Sequence, residues 1–294
     1  MSDKIDVVDS RIAPNPLLAR LNKLPGITVG LPSRGIFYTN GELDSECVDG
    51  ELIIYPMTTS DELMMRSADM LFQGKAIEYV LSRCAPQIKK PLELMMGDID
   101  YLLTQLRKIS YGPKIPINYN CACAKTEEEQ KERKDSGGNE YLIPIDALIQ
   151  TSKRLEAKDF NKTFKVKIST GQEVTLQPLK FNNFLKLQQM GDPNDLKSGD
   201  EIREYVATNF AAVTASVDGI SDQDMIREWY AALPRFDTDK IKDKLNNIAS
   251  WGIEFTHSIT CKYCNEKKDI TTMLNPVYFF TLPSSPEIDR KSVV

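Results

Sequence analysis

The spacing of apolar residues predicts helices in the segment that follows the first fifty residues. Thr59 and Ser60 stand before a run that is first acidic and then apolar, which is typical of a helix N-terminus, so we expect a helix that begins at about Ser60. Apolar residues then recur every three or four positions over residues 75–84 and 98–110, and both segments are predicted to be helices. Gly112 and Pro113 end the second of them.

Apolar and polar residues alternate in the next segment, and this pattern predicts strands. Residues 115–123 alternate, and residues 141–145 form a short apolar run. The alternation over residues 164–168 resumes over residues 174–176 after a Ser-Thr-Gly-Gln turn, which indicates a β-hairpin. Residues 126–138 are rich in glutamate and contain no apolar side chain, so we expect a solvated loop there.

Helical spacing returns after residue 180. We expect helices over residues 181–189, 201–217 and 239–251, and a further helix that begins with the capping residue Ser221 and ends at Leu233. Residues 253–255 then return to the β pattern.

The first fifty residues have a different character, with four prolines and the turn pairs Pro-Gly and Asn-Gly. We expect an extended arm with short strand pieces over residues 26–31 and 35–38, and with little core of its own. Such an arm either becomes ordered against a neighbouring subunit or folds back on its own domain. The sequence leaves both alternatives open.

Composition narrows the class of protein. The chain has 294 residues, 41% of them hydrophobic, which is enough for one large domain or two modest ones. The net charge of −5 and the lack of a long basic run disfavour direct binding to nucleic acid. No apolar run approaches the roughly 18–20 residues that span a bilayer. The first residues lack a secretory signal pattern, so we expect a soluble intracellular product without a membrane span.

Four of the six cysteines lie in two close pairs, Cys121-Ala-Cys123 and Cys261-Lys-Tyr-Cys264. The second pair stands between two strand-like runs, as in one half of a zinc ribbon, and the first pair is expected on one face of a strand. Thiolates at such spacing converge on one tetrahedral metal ion, usually Zn²⁺. We therefore expect Cys121, Cys123, Cys261 and Cys264 to hold a structural zinc, with iron as the alternative for the same ligands.

The remaining cysteines and the one histidine have simpler explanations. Cys47 and Cys84 are predicted to be small core residues, and a disulfide is disfavoured because the chain has no secretory signal pattern. The CxxC pair alone is also compatible with a redox dithiol. His257 could replace one cysteine ligand, although a histidine in a strand-like run is more often structural.

Catalytic motifs are missing from the sequence. It contains neither GxGxxG nor GxxxxGK[ST], and a single histidine leaves one candidate base for a nucleophile. The paired acids Asp98/Asp100 and Asp222/Asp224 stand at predicted helix N-termini, where capping and the helix dipole explain them. Four thiolates would also leave a metal without an open position for water. We therefore do not expect an enzyme.

Together these patterns predict an α+β fold that is mainly helical and carries a small antiparallel β module of the zinc-ribbon kind, clasped by the metal. The predicted division is an extended N-terminal arm over residues 1–50, a helical region over 51–112, an inserted helical region over 181–250, and a β/zinc module formed by residues 113–180 together with 251–282.

Several sequence runs, taken in order, carry a resemblance to a known family. They are Ile54-Tyr-Pro-Met-Thr-Thr-Ser-Asp-Glu-Leu, Leu71-Phe-Gln-Gly-Lys-Ala-Ile-Glu-Tyr-Val-Leu-Ser-Arg-Cys, Asp98-Ile-Asp-Tyr-Leu-Leu-Thr-Gln-Leu-Arg-Lys-Ile-Ser-Tyr-Gly, the two cysteine pairs, and Asn275-Pro-Val-Tyr-Phe-Phe. Over residues 30–282 the chain resembles the baseplate hub proteins of T-even-like contractile-tailed bacteriophages. Such relatives often have CxxC at the first cysteine pair, where this chain has CxC.

The resemblance implies a structural, non-enzymatic component of a phage contractile-tail baseplate, at the hub or an adjoining position. Such a component holds neighbouring baseplate proteins together and is needed for tail assembly. It would be made in the host cytoplasm and reside in the virion tail in several copies, with other phage baseplate and tail proteins as partners. Two alternatives stay open: a baseplate assembly factor absent from the mature virion, and a zinc-ribbon adaptor protein, which the acidic balance disfavours.

Overall fold

The structure, a computed structural model, describes residues 25–156, 164–191, 195–196, 198–248 and 251–271. Within these ranges the chain forms ten α-helices and nine short strands, and every strand pair is antiparallel. The strands are β1 (Ile27–Gly30), β2 (Glu51–Ile54), β3 (Lys114–Asn118), β4 (Glu140–Pro144), β5 (Lys165–Lys167), β6 (Glu173–Leu176), β7 (Thr214–Val217), β8 (Thr256–Thr260) and β9 (Lys267–Thr271). The helices are α1 (Thr59–Met65), α2 (Ala68–Phe72), α3 (Lys75–Cys84), α4 (Met96–Tyr111), α5 (Glu127–Asp135), α6 (Ile145–Gln150), α7 (Phe181–Gln189), α8 (Gly199–Ala212), α9 (Gln223–Ala232) and α10 (Arg235–Ile248).

The predicted combination of helices and small antiparallel sheets is therefore confirmed. Residues 1–24 of the predicted arm and the run 275–280 of the family resemblance lie outside the described ranges. None of the ten helices is long and apolar enough to cross a membrane. The division of the chain into four regions stays a prediction.

The helices with a clear apolar face were predicted best. α3 and α7 begin and end at the predicted residues, and α4 is slightly longer than the predicted 98–110. α1 begins at Thr59, and its cap is Thr58, whose side chain accepts a hydrogen bond from the backbone of Asp61. Because Asp61 in turn accepts from the backbone of Thr58, the two residues form a capping box.

Several local predictions are wrong. Residues 126–138 were expected to be a loop, but they include helix α5, whose side chains are solvated as predicted. Residues 35–38 form turns and not a strand. The helix predicted over 201–217 ends at Ala212, and the chain continues as strand β7, which pairs with β6. Threonine and valine in β7 are β-branched, and this favours a strand once an unpaired sheet edge is available.

The first hydrophobic core lies between the β1–β2 hairpin and helices α3, α4, α6 and α7. Leu31, Leu52, Ile54, Val80 and Leu102 are fully buried in it. Part of the predicted arm, from β1 onward, therefore takes part in this core.

The second hydrophobic core lies between the β5–β6–β7 sheet and helices α8, α9 and α10. The predicted hairpin is confirmed, since Val166 pairs with Val174 across β5 and β6. Phe37, in the turns after β1, packs against this second core. The ring of Phe37 lies 5.6 Å from that of Phe164 and 5.9 Å from that of Trp251, measured between centroids.

A buried carboxylate fastens the turns after β1 to helix α4. Asp98 is fully buried and accepts hydrogen bonds from the backbone N–H of Ser33 (2.9 Å) and from the hydroxyl of Tyr38 (2.5 Å). The Tyr38 hydroxyl also accepts from the backbone N–H of Met95 at 3.0 Å. Burial raises the pKa of Asp98 to about 6, although these hydrogen bonds offset part of the effect.

Candidate metal centre

The four cysteines of the two pairs come together at one point. The sulfur of Cys121 lies 3.7 Å from that of Cys264, and the sulfur of Cys123 lies 3.7 Å from that of Cys261. All four sulfurs lie within 4.8 Å of one another. A tetrahedral zinc with Zn–S bonds of about 2.3 Å separates its sulfurs by about 3.8 Å, so the spacing fits a single ion. It is too long for disulfides, and the cysteines are free thiols.

The first pair lies in a turn, which corrects the predicted strand position of Cys121 and Cys123. Strand β3 ends at Asn118, and the backbone N–H of Tyr119 still donates to the carbonyl of Asn139 across the hairpin. Beyond this point the chain turns, and the backbone N–H of Ala124 donates to the carbonyl of Cys121 at 3.1 Å. The two sulfurs converge because the turn folds them inward, and not because alternate strand residues share a face.

The second pair lies in the turn of the β8–β9 hairpin, and the predicted order of strand, turn and strand is confirmed. The backbone N–H of Cys261 donates to the carbonyl of Glu266, and that of Asn265 donates to the carbonyl of Cys261 at 3.0 Å. Asn265 has φ 58°, a left-handed conformation that asparagine tolerates well. The N–H of Tyr263 points at the Cys261 sulfur, 3.5 Å away.

Burial differs among the four ligand candidates. Cys121 and Cys261 are buried, Cys123 is half-buried, and Cys264 is exposed. Lys262 covers one side: its backbone N–H donates to the hydroxyl of Tyr141, and its ammonium lies 5.0 Å from the centre of that ring. The cluster therefore has a closed inner side against β4 and an open outer side.

The thiols ionise unequally when no cation is present. Burial opposes ionisation of Cys261, but N–H donors of Cys264 and Tyr263 and the neighbouring thiols outweigh it and lower its pKa to about 6. At Cys264, which is exposed, a backbone N–H donor favours the thiolate, but partial desolvation and the hydrogen bonds with the three neighbouring thiols outweigh it and raise the pKa to about 12. The cluster thus carries a first negative charge readily and resists further ones. A bound cation would remove that resistance.

A contact that the sequence did not indicate involves Arg133 of helix α5. Its Nη1 donates to the Cys123 sulfur at 3.0 Å, and its guanidinium lies 4.0 Å from the centre of the Tyr263 ring. Arg133 therefore touches one residue from each cysteine turn. The only sequence signal was its position ten residues after Cys123, inside a stretch that was predicted to be a loop.

The other sequence candidates lie outside the cluster. Cys84 is buried in the first core and Cys47 packs against that core. His257 lies on β8 opposite Ile270, and burial lowers its pKa. Its ring is not part of the group of four sulfurs.

A separate shallow cavity of about 160 Å³ lies between helices α7, α8 and α9. Its lining residues are Asn183, Lys186, Thr208, Ala211, Ala212, Gln223, Asp224 and Arg227. This lining lacks histidine and cysteine, the side chains that most often serve as catalytic base and nucleophile.

Comparison with known proteins adds one finding. Residues 43–281 match the family model described as T4 bacteriophage base plate protein. No curated protein and no solved structure matched the chain. The match includes both cysteine pairs and most of the described residues.

Proposed function

The chain belongs to the T4 bacteriophage base plate protein family, and from this membership we propose that it is a structural, non-enzymatic component of a contractile-tail baseplate, at the hub or an adjoining position. The family match supports a location of the protein in the baseplate, and so in the tail of the virion. It also agrees with the resemblance that the sequence runs indicated.

The site that supports a mechanical role is the cysteine cluster. The paired sulfurs are 143 and 138 residues apart in the sequence, so a metal held there would cross-link two distant hairpins and add to the contacts that Lys262 already makes with β4. We propose that Cys121, Cys123, Cys261 and Cys264 hold one structural Zn²⁺. A zinc ion with four thiolates contributes a rigid cross-link and offers no open position for a substrate.

The cross-link would matter to a subunit under load. The β3–β4 and β8–β9 hairpins each have two strands, and an isolated two-stranded hairpin is only marginally stable in water. Joining the two turns through one ion lets each hairpin hold the other. On this proposal the partners are other phage baseplate and tail proteins, several copies are present per particle, and the protein is made in the host cytoplasm before it enters the tail.

An assembly factor is the second candidate, because the same family membership and the same metal clasp suit a protein that leaves the particle after assembly. A zinc-ribbon adaptor for host machinery is a weaker one, since the net charge of −5 is unfavourable for a nucleic-acid partner.

Removing the protein from the phage that encodes it should therefore block tail assembly and leave head assembly intact. We expect an amber or deletion mutant to give filled heads without functional tails, and expression of the chain in trans to restore infectious particles. Electron microscopy of the lysates measures both results. Protein staining of purified virions should show the chain as a stoichiometric component.

Two outcomes would change this proposal. If the protein is absent from purified virions although tail assembly still requires it, the assembly factor is indicated. Normal tails in the mutant would contradict both baseplate roles.

A further inference from the structure

Helix α5 has no apolar face to hold it in place. Its sequence is EEEQKERKD, and it buries no residue. A helix of nine residues is marginal in water without tertiary contacts, because few backbone hydrogen bonds repay the cost of its nucleation. Charges add some stability, since three glutamates stand in the first turn and Arg133 and Lys134 in the last, as the helix dipole favours. Its position on the protein must come from particular contacts.

The N-terminal contacts of α5 are local. Thr126 caps it by accepting from the backbone N–H of Glu129, and the Glu129 carboxylate accepts from the backbone N–H of Lys125. These bonds fix the first turn relative to residues that precede it in the chain. They do not connect α5 to the second cysteine turn.

Gln130 of α5 donates to the carbonyl of Ala124 in the first cysteine turn at 3.4 Å, and Arg133 connects the helix to both cysteine turns. Arg133 reaches the Cys123 sulfur of the first turn and the Tyr263 ring of the second, with the distances given above. The carbonyl of Arg133 also accepts from the backbone N–H of Gly138 at 2.7 Å. A side chain at Gly138 would collide with the Tyr263 hydroxyl, so the end of α5 lies directly against the second cysteine turn.

The strength of the Arg133 contact depends on the charge of its sulfur partner. A thiol sulfur is a weak acceptor, whereas a metal-bound thiolate is charged, and hydrogen bonds to charged groups are about twice as strong as neutral ones. Four thiolates and one Zn²⁺ carry a net charge of −2, which a neighbouring guanidinium partly offsets. Groups that donate to metal ligands typically change the affinity for the metal as well.

We propose that Arg133 is a positioning residue that couples occupancy of the metal site to the order of helix α5. This inference rests on the proposed metal site. When the site is loaded, the Cys123 thiolate holds Arg133, and Arg133 holds α5 against both cysteine turns. When the site is empty, the contact weakens and α5 loses its main attachment. The acidic first turn of α5 therefore occupies a fixed place beside the cluster only in the loaded protein.

The test compares the full chain with the variants Arg133→Gln, Arg133→Lys and Lys134→Gln. Lys134 is exposed, adjacent and of equal charge, so Lys134→Gln is the matched control. Each protein is loaded with one equivalent of zinc, and the bound metal is counted by elemental analysis. Hydrogen exchange of the peptide that covers residues 126–137 is measured before and after removal of zinc. The zinc dissociation constant is measured by competition with a chromophoric chelator.

In the wild-type protein we expect zinc removal to accelerate exchange in α5 strongly. In Arg133→Gln we expect fast exchange even with zinc bound, and a zinc dissociation constant about tenfold weaker. Arg133→Lys should recover part of both effects because it keeps the charge but loses the planar guanidinium. Lys134→Gln should behave as the wild type.

The outcomes separate the two proposals. One bound zinc per chain, with unchanged exchange and affinity in Arg133→Gln, would overturn this inference and leave the metal site standing. A wild-type protein that binds no metal would overturn both.

Discussion

We expect the replacement of Cys261 with serine to abolish binding of the proposed metal ion and to lower the stability of the protein markedly. Cys261 is the most buried of the four cysteines and its sulfur lies against that of Cys123, so a serine hydroxyl would replace the best-shielded ligand. Structural zinc sites have apparent binding free energies of about 10–16 kcal/mol in small peptides. The larger cores of this chain will remain folded without the ion, so we expect a loss of about 3–5 kcal/mol, comparable to the loss of a native disulfide in a small domain.

The measurement combines elemental analysis with thermal and urea unfolding, each with and without a strong chelator. A chelator should lower the stability of the wild-type protein and leave that of Cys261→Ser unchanged, because the variant has no ion to lose. Cys47→Ser is the matched control, since Cys47 is a half-buried free cysteine that packs against the first core, away from the cluster. It should keep its metal and its response to the chelator. A Cys261→Ser protein with one tightly held metal and unchanged stability would contradict the proposed clasp.

How much of this fold was predictable depends on how local the determining interactions are. The bounds of α3 and α7 follow from apolar residues at helical spacing, with a turn or a break at either end. Helix α5 could not be predicted from apolar spacing because it has no apolar face. Its stability comes from the cap at Thr126, from charges that match the helix dipole, and from the contacts of Arg133. Strand β7 was missed because its edge pairing with β6 involves residues some forty positions away.

In the candidate site, too, the features set by local spacing were predictable and those set by distant contacts were not. The identities of Cys121, Cys123, Cys261 and Cys264 followed from spacing alone, and the structure brings their sulfurs together. The position of the first pair was wrong, because alternation over residues 115–123 gives no sign that the strand stops at Asn118. Contacts such as that of Arg133 with Tyr263 depend on how two distant hairpins meet, and no local pattern contains that information.

Asp98 is expected to be the most sensitive single position of the first core. Its carboxylate is the acceptor for the backbone N–H of Ser33 and for the hydroxyl of Tyr38, and all three groups lie in the interior. Burial and the Asp98 charge raise the pKa of Tyr38 well above its ordinary value, so the hydroxyl keeps its proton and acts as donor. Asp98→Ala leaves both donors unsatisfied at about 1–3 kcal/mol each, so we expect a loss of about 2–5 kcal/mol.

Asp100 provides the control on the same helix. Burial raises its pKa to about 7, and among the described residues its carboxylate has no hydrogen-bond partner. Removing the Asp100 carboxylate therefore leaves no hydrogen-bond donor unsatisfied. Asp100→Ala should lower the free energy of unfolding only slightly, or even raise it, at neutral pH. Urea unfolding at pH 7.5 compares the two variants. Equal losses from both would contradict the role given to the Asp98 hydrogen bonds.

The pH dependence of stability tests the same carboxylate through Asp98→Asn, which keeps an oxygen acceptor for Ser33 but cannot ionise. The folded pKa of Asp98, about 6, lies above the value of about 3.9 for an unfolded aspartate. Between these values the native state holds the proton more tightly, so this contribution to stability is fully present below pH 4 and is lost as pH rises to 6. The loss amounts to about 2–3 kcal/mol. The free energy of unfolding of Asp98→Asn relative to that of the wild type should therefore rise by that amount between pH 4 and pH 7. A difference between the two proteins that stays constant over this range would show that Asp98 does not titrate with a raised pKa.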